Sequence, residues 1–175
     1  MQVKDLEFEK FIDSALITDK VKELAARLNS DYVNKTPVLL PILNGSFMFA
    51  SDLMKELSIP CRISFVKISS YSGTSSTGQL KTLIGHEENL FNQDILIVED
   101  IIDTGLTIEK IILELRELGA KSVETVSLLR KQVAREKKID VKYIGFELEY
   151  EFVLGYGMDY DGLGRNLKDL YRSIS

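Results

Sequence analysis

Three carboxylates and a small-residue turn crowd into residues 99–107: Glu99, Asp100 and Asp103, then Thr104-Gly-Leu-Thr107. They follow Ile95-Leu-Ile-Val98, an aliphatic run that suits a strand buried on both faces of a parallel sheet. In open α/β sheets, ligands bind beyond the carboxyl ends of such strands. The turn precedes an amphipathic pattern, so it aims free backbone N–H groups at an anion on the coming helix. Carboxylates beside a phosphate would repel it unless a divalent cation lay between them. The chemistry written in this stretch is therefore phosphate binding together with a hard metal ion.

Other chemistries are poorly supplied. His86 is the sole histidine, set in the polar turn Ile84-Gly-His-Glu-Glu-Asn89 and read as solvated. Cys61 is the sole cysteine; it follows Pro60, opens an apolar run, and is read as a buried structural thiol in a reducing compartment. Carboxylates, lysine, tyrosine and oxygen-bound metals remain. No Gly-x-Gly-x-x-Gly follows a strand, and no Walker A pattern is present.

The elements that must position these residues alternate. Thr18 is read as the cap of a helix with Val21, Leu24, Ala25, Leu28 and Tyr32 on one face. Val38–Leu43 reads as a buried strand, with Pro41 pointing to an edge or a strand end. It enters Asn44-Gly-Ser46 and a helix burying Phe49, Ala50, Leu53, Met54 and Leu57. Arg62–Ile68 alternates as a strand and Lys81–Ile84 is a short one. After the strand at 95–98, a helix places Ile108, Ile111, Ile112, Leu115 and Leu118 inward and stops at Gly119. Ser122–Leu129, Lys142–Glu147 and Phe152–Leu154 read as strands, and Leu163–Ile174 as a terminal helix. No repeat or linker divides the chain. The expectation is an α/β fold with a largely parallel sheet.

The chain has 175 residues and a net charge of -5, which argues against nonspecific nucleic-acid binding. No long apolar run or signal-peptide core is present, so no membrane span and a cytoplasmic location are expected.

Hydrophobic strand, Glu-Asp, two aliphatics, then Asp-Thr-Gly-x-Thr strongly resembles the phosphoribosyl pyrophosphate signature of type I phosphoribosyltransferases. The form Glu-Asp-Ile-Ile-Asp-Thr-Gly is similar to the hypoxanthine-guanine branch, and the resemblance extends over nearly the whole chain. It implies a single domain over residues 1–175 with a mostly parallel central sheet. A small hood subdomain, formed by the N-terminal segment and roughly residues 130–175, would cover the active site. The implied reaction transfers the 5-phosphoribosyl group of phosphoribosyl pyrophosphate to N9 of hypoxanthine and guanine, releasing pyrophosphate. Purine salvage is the implied role.

The resemblance also implies roles for residues. Asp103 through Thr107 (Thr104, Gly105, Leu106 and Thr107 included) would hold the 5′-phosphate, with Glu99 and Asp100 on the ribose hydroxyls. Leu43, Asn44, Gly45 and Arg165 would meet the pyrophosphate; the bond Leu43–Asn44 can be a non-proline cis peptide in that family. Ile101, Lys131, Phe152, Val153 and Asp159 would hold the purine, Lys131 at its 6-oxo group and Phe152 on its face. Glu99, Asp100 and Asp159 would bind Mg²⁺ directly or through water. Asp103 would act as acid/base at purine N7. Ser70 and Tyr71, before the Gly/Ser/Thr run to Gly78, resemble a mobile lid over an oxocarbenium-like intermediate. The family often carries a basic residue where this chain has Asn44 and lysine where it has Leu106. It forms dimers or tetramers, so a homodimer or homotetramer is expected. The nearest rival reading is a sister enzyme on the same fold that favours xanthine or guanine over hypoxanthine; a nucleotide-sensing RNA-binding regulator is the rival from another class, and the acidic net charge counts against it.

Overall fold

The computed structural model describes residues 1–67, 81–84, 89–136 and 141–174. In chain order its elements are β1 (Gln2–Val3), β2 (Leu6–Ile12), α1 (Ser14–Asp31), β3 (Val38–Leu43) and α2 (Phe47–Glu56). Next come β4 (Arg62–Ile63), β5 (Phe65–Lys67), β6 (Lys81–Ile84), β7 (Asp94–Ile102) and α3 (Leu106–Glu117). The chain ends with β8 (Ser122–Lys131), α4 (Gln132–Glu136), β9 (Tyr143–Leu148), β10 (Val153–Leu154) and β11 (Leu170–Ser173).

The large sheet has the order β6-β5-β3-β7-β8-β9, with β4 also paired to β3. All its pairings are parallel except that of β5 with the edge strand β6. Helices cover both faces, as buried parallel strands require. One core joins Leu24 and Leu28 of α1 and Phe49 and Leu53 of α2 to Leu96, Val98 and Leu128. The other joins Ile108, Ile111 and Leu115 of α3 to Ile95 and Ile97. Each such fully buried aliphatic side chain contributes about 1.5–3 kcal/mol. A separate four-stranded antiparallel sheet, β1-β2-β11-β10, joins the two chain ends around Val3, Phe8 and Leu154.

Several sequence expectations are corrected. Helix α1 starts four residues before Thr18: extended Asp13 is its cap, accepting from Ala15 N at 2.9 Å, while the Thr18 hydroxyl donates back to Ser14 O. Pro41 lies within an interior strand. On one side of β3 the partner changes from β4, opposite Val38 and Leu39, to β5, opposite Ile42 and Leu43. Pro41 falls in that gap, where its missing N–H breaks no ladder. The same change splits Arg62–Ile68: Ser64 separates β4 from β5, its N–H donating to Leu39 O at 3.0 Å. Strand β7 continues past Val98 to Ile102, so Glu99 and Asp100 lie within the strand and not beyond it. Leu118 is 59% exposed, because α3 ends at Glu117 and the chain turns at Gly119 (φ 81°).

The terminal helix is absent. Residues 162–169 form turns, and β11 pairs with β2 and β10. Asp161, Gly162 and Gly164 all take positive φ, which an α-helix does not tolerate.

Candidate active site

The carboxyl ends of β3, β7 and β8 converge below the turns that follow β10, and a cavity of about 300 Å³ opens between them. From the large sheet, Gly45, Asp100, Ile101, Asp103 and Lys131 line it; Phe152, Val153, Asp159 and Arg165 line it from above. Nine residues singled out in the sequence, from five separate segments, thus share one wall. Met158 completes that wall and was not singled out. An isolated apolar residue between Gly157 and Asp159 carries no local signal.

Asp103 and Lys131 form an ion pair, Oδ1 to Nζ 3.3 Å, although they end different strands. Asp103 is largely exposed while Lys131 is mostly covered. An exposed pair of this kind adds about 0–1 kcal/mol to stability. Its consequence is positional: it places an acceptor and a donor side by side.

Asp103 leads straight into the turn, where Gly105 takes φ 80° as the N-cap of α3 with no side-chain cap bond. The first N–H groups of α3 are thereby left for an anion. Thr104 and Thr107 are exposed beside them, and Leu106 projects outward at 59% exposure. Leu106 offers no charge, so an anion here would be held by backbone and hydroxyl donors.

Glu99 and Asp100 are adjacent and poorly solvated. Burial, reinforced by the Asp100 charge, holds the Glu99 carboxyl well above the usual carboxylate range. Its Oε2 is buried with no hydrogen-bond partner. Burial raises Asp100 to about 6, against the pull of backbone N–H groups and the Arg165 charge. Such groups could accept a cation or hydroxyl donors.

Over Asp100 lies the loop after β3, whose Leu43–Asn44 peptide is cis. Ser46 anchors that loop, its buried hydroxyl donating to Ile42 O at 2.6 Å. A Cβ on Gly45 would sit 1.9 Å from Asp100 Oδ2, so only glycine permits this approach. Over Gly45 lies Gly157, whose own Cβ would sit 2.1 Å from Gly45 O. Arg165 spans the top: Nη1 donates to Gly157 O at 2.7 Å and Nη2 meets Asp159 Oδ1 at 2.5 Å. Asp159 Oδ2 accepts from Gly162 N at 2.7 Å, so both its oxygens are engaged within its own segment.

Phe152 is 42% exposed at the cavity rim. Tyr160 meets it edge-on at 5.7 Å and 82°, and Phe8 supports it at 6.2 Å. The ring is fixed by neighbours yet keeps open surface for a flat ligand. Val153 is fixed by its β10–β11 pairing with Arg172. Ser70, Tyr71 and His86 lie outside the described residues.

The fold and this cleft define a type I phosphoribosyltransferase. A phosphoribosyl transferase domain pattern matches residues 9–161. The chain is 44% identical over 147 residues to the hypoxanthine-guanine phosphoribosyltransferase of Staphylococcus aureus strain Mu50, covering 83% of this chain and 82% of that one. It is 38% identical over 168 residues to the Bacillus subtilis enzyme of the same name, covering 95% and 93%. The solved hypoxanthine phosphoribosyltransferase of Trypanosoma cruzi, in a variant complexed with the product IMP, superposes with a TM-score of 0.86 at 32% identity, covering 99% of this chain and 93% of that one. The chain belongs to the hypoxanthine-guanine phosphoribosyltransferase family.

Proposed function

We propose that this chain performs purine salvage, transferring the 5-phosphoribosyl group from phosphoribosyl pyrophosphate to N9 of hypoxanthine or guanine and giving IMP or GMP with pyrophosphate. One observation carries the reading. The Asp103–Lys131 pair, the Phe152 ring, and Asp100, Gly45 and Arg165 of the backbone stack face a single cavity. A purine, a ribose and a pyrophosphate need those three surfaces side by side.

In this reading Thr104–Thr107 take the 5′-phosphate through N–H groups and hydroxyls. Glu99 and Asp100 meet the ribose hydroxyls, whose donors satisfy carboxylates that burial otherwise penalises. Leu43, Asn44, Gly45 and Arg165 take the pyrophosphate. Lys131 donates to the 6-oxo group, Phe152 stacks on the base, Ile101 packs at its edge, and the Val153 backbone reads it. As the bond at ribose C1 lengthens, positive charge develops there and the carboxylates stabilise it. Asp103 accepts the N7 proton.

Mg²⁺ fits this donor set in a particular way. Among the described residues, no group of three or more His, Cys, Asp or Glu could hold a metal ion. Glu99 nevertheless has a buried oxygen with no partner. Mg²⁺ keeps waters and is commonly held by one or two carboxylates plus substrate phosphates. Glu99 and Asp100 would hold it in that manner, directly or through water, with Asp159 reaching only its outer shell, and it would neutralise charge on the departing pyrophosphate.

The chain acts as one domain, with its N-terminal segment and roughly residues 130–175 forming the hood, and it assembles as a homodimer or homotetramer in the cytoplasm. No described helix is long and apolar enough to cross a membrane. The test is direct: mix the protein with phosphoribosyl pyrophosphate, Mg²⁺ and each of hypoxanthine, guanine, xanthine and adenine, and follow nucleotide formation. Product with hypoxanthine and guanine is expected. No product with any base would overturn the reading.

A further inference from the structure

Phe152–Asp159 contributes to the cavity wall, yet the residue at its centre points away from it. Tyr156 is buried, and its hydroxyl donates to Asp52 Oδ2 at 2.6 Å. Asp52 lies on α2, the helix that begins directly after the Asn44–Ser46 loop. The two residues are 104 positions apart. They join the segment above the cavity to the element that carries its floor.

The backbone around Tyr156 makes that contact informative. Gly155 and Met158 exchange N–H···O bonds at 3.1 and 3.0 Å, closing a tight turn. Its two central residues, Tyr156 and Gly157, take φ 47° and 99°. Turns with two positive-φ centres favour glycine, asparagine or aspartate, and a bulky aromatic there is unusual. The tyrosine directs its side chain down to α2. The neighbouring Gly157 then rests on Gly45 O and presents its own carbonyl to Arg165. Burial and the Asp52 carboxylate push the Tyr156 hydroxyl above the usual tyrosine range, so it remains a donor at any working pH. Lys55, 2.6 Å from Asp52 Oδ1, steadies the acceptor from its exposed side.

We infer that Tyr156 and Asp52 are positioning residues. Their hydrogen bond sets the seat of the 155–158 turn on Gly45, and through it the joint placement of the base-facing Val153 and the guanidinium of Arg165. Neither residue touches the cavity. The inference rests on the phosphoribosyltransferase reading, because its consequence is coupled binding at the purine and pyrophosphate ends. A purely structural tyrosine would alter the unfolding midpoint and leave ligand affinity unchanged in the folded protein.

The experiment measures dissociation constants of IMP and of inorganic pyrophosphate with Mg²⁺ by calorimetry, for wild type, Tyr156→Phe, Asp52→Ala and the double variant. Circular dichroism confirms folding at the temperature used. Tyr156→Phe removes one hydroxyl and keeps the ring. Both ligands are expected to bind about five- to tenfold more weakly in each single variant, with the double variant no worse than either single one. Wild-type affinity in a folded Tyr156→Phe would overturn the inference, as would additive losses in the double variant, since independent effects add. Should Tyr156→Phe fail to fold, the partly exposed Asp52→Ala decides alone, native affinity overturning the inference. Failure of wild type to bind either ligand would instead defeat the functional reading itself.

Discussion

Asp100 should destabilise the protein it serves. Its carboxyl is raised from an ordinary 3.8 to about 6, burial being the main cause. When the folded-state value exceeds the unfolded one, the folded state binds more protons between the two, and stability falls as pH rises through that window. Below about pH 4 both states are protonated and no penalty applies. Above about pH 6 both are ionised and the penalty is complete. A rise from 3.8 to about 6 corresponds to about 3 kcal/mol, at about 1.36 kcal/mol per tenfold change in proton affinity. Asp100→Asn keeps an oxygen for the backbone N–H groups and removes the charge. It also relieves the repulsion that helps to raise Glu99, an effect of the same sign.

Asp100→Asn should therefore be more stable than wild type at pH 7.5, by up to about 3 kcal/mol. For a domain of this size that is an upper bound of about 6–12 °C in Tm. At pH 4.5 most of the difference should vanish. The same variant should lose most of its turnover, because the carboxylate proposed to meet ribose and metal is gone. The assay is thermal unfolding in chelated buffer at the two pH values, beside initial rates with hypoxanthine. If the variant is no more stable at pH 7.5, or if its advantage is equal at both pH values, the burial argument is wrong.

Asp103→Asn should lower kcat by about 10²-fold with modest change in substrate affinity, as general acid–base groups do; near-normal turnover in steady-state kinetics would remove Asp103 from that role. Gly157→Ala puts a methyl 2.1 Å from Gly45 O at φ +99°, a clash with backbone that should cost about 1–3 kcal/mol or more. Urea unfolding should show that loss, and pyrophosphate affinity should fall with it. Asp169 meets Lys10 at 2.8 Å and accepts from Ser14 N at 2.8 Å, and these contacts, the Lys10 one foremost, depress its carboxyl to about 2. Its contribution is complete above the ordinary aspartate range and is lost as pH falls toward about 2. Asp169→Ala should lower the urea midpoint at pH 7 and leave it nearly unchanged at the acid end, where the wild-type contribution has gone.

What could be read from the sequence was what is local. The strand at 95–98 and the turn at 103–107 announce themselves through neighbouring residues, and their chemistry follows from adjacency. The hood is legible only through the family resemblance and not through any local pattern. Strand β2 pairs with β11 across almost the whole chain, Phe8 opposite Ser173, and no window of neighbouring residues contains both. The terminal segment misleads for a related reason. Leu163, Leu167, Leu170 and Ile174 repeat at helical spacing despite the glycines at 162 and 164. In the structure those glycines turn the chain, Leu170 is buried against the body, and Leu163 and Ile174 are half-exposed.

Glu99, Asp100 and Asp103 could be found by type, and Lys131, Asp159 and Arg165 through the family resemblance, but the spacing between them could not. Glycine in a small-residue loop reads as flexibility, and Gly45 and Gly157 do the opposite here. Each replaces a side chain with direct contact, Gly45 against Asp100 Oδ2 and Gly157 against Gly45 O. The distance from the buried carboxylate to the Arg165 guanidinium is thus set by two backbone contacts and one arginine hydrogen bond. A flexible loop would let anion and cation collapse together. A stack of backbone holds them apart, and both still line the same cavity of about 300 Å³.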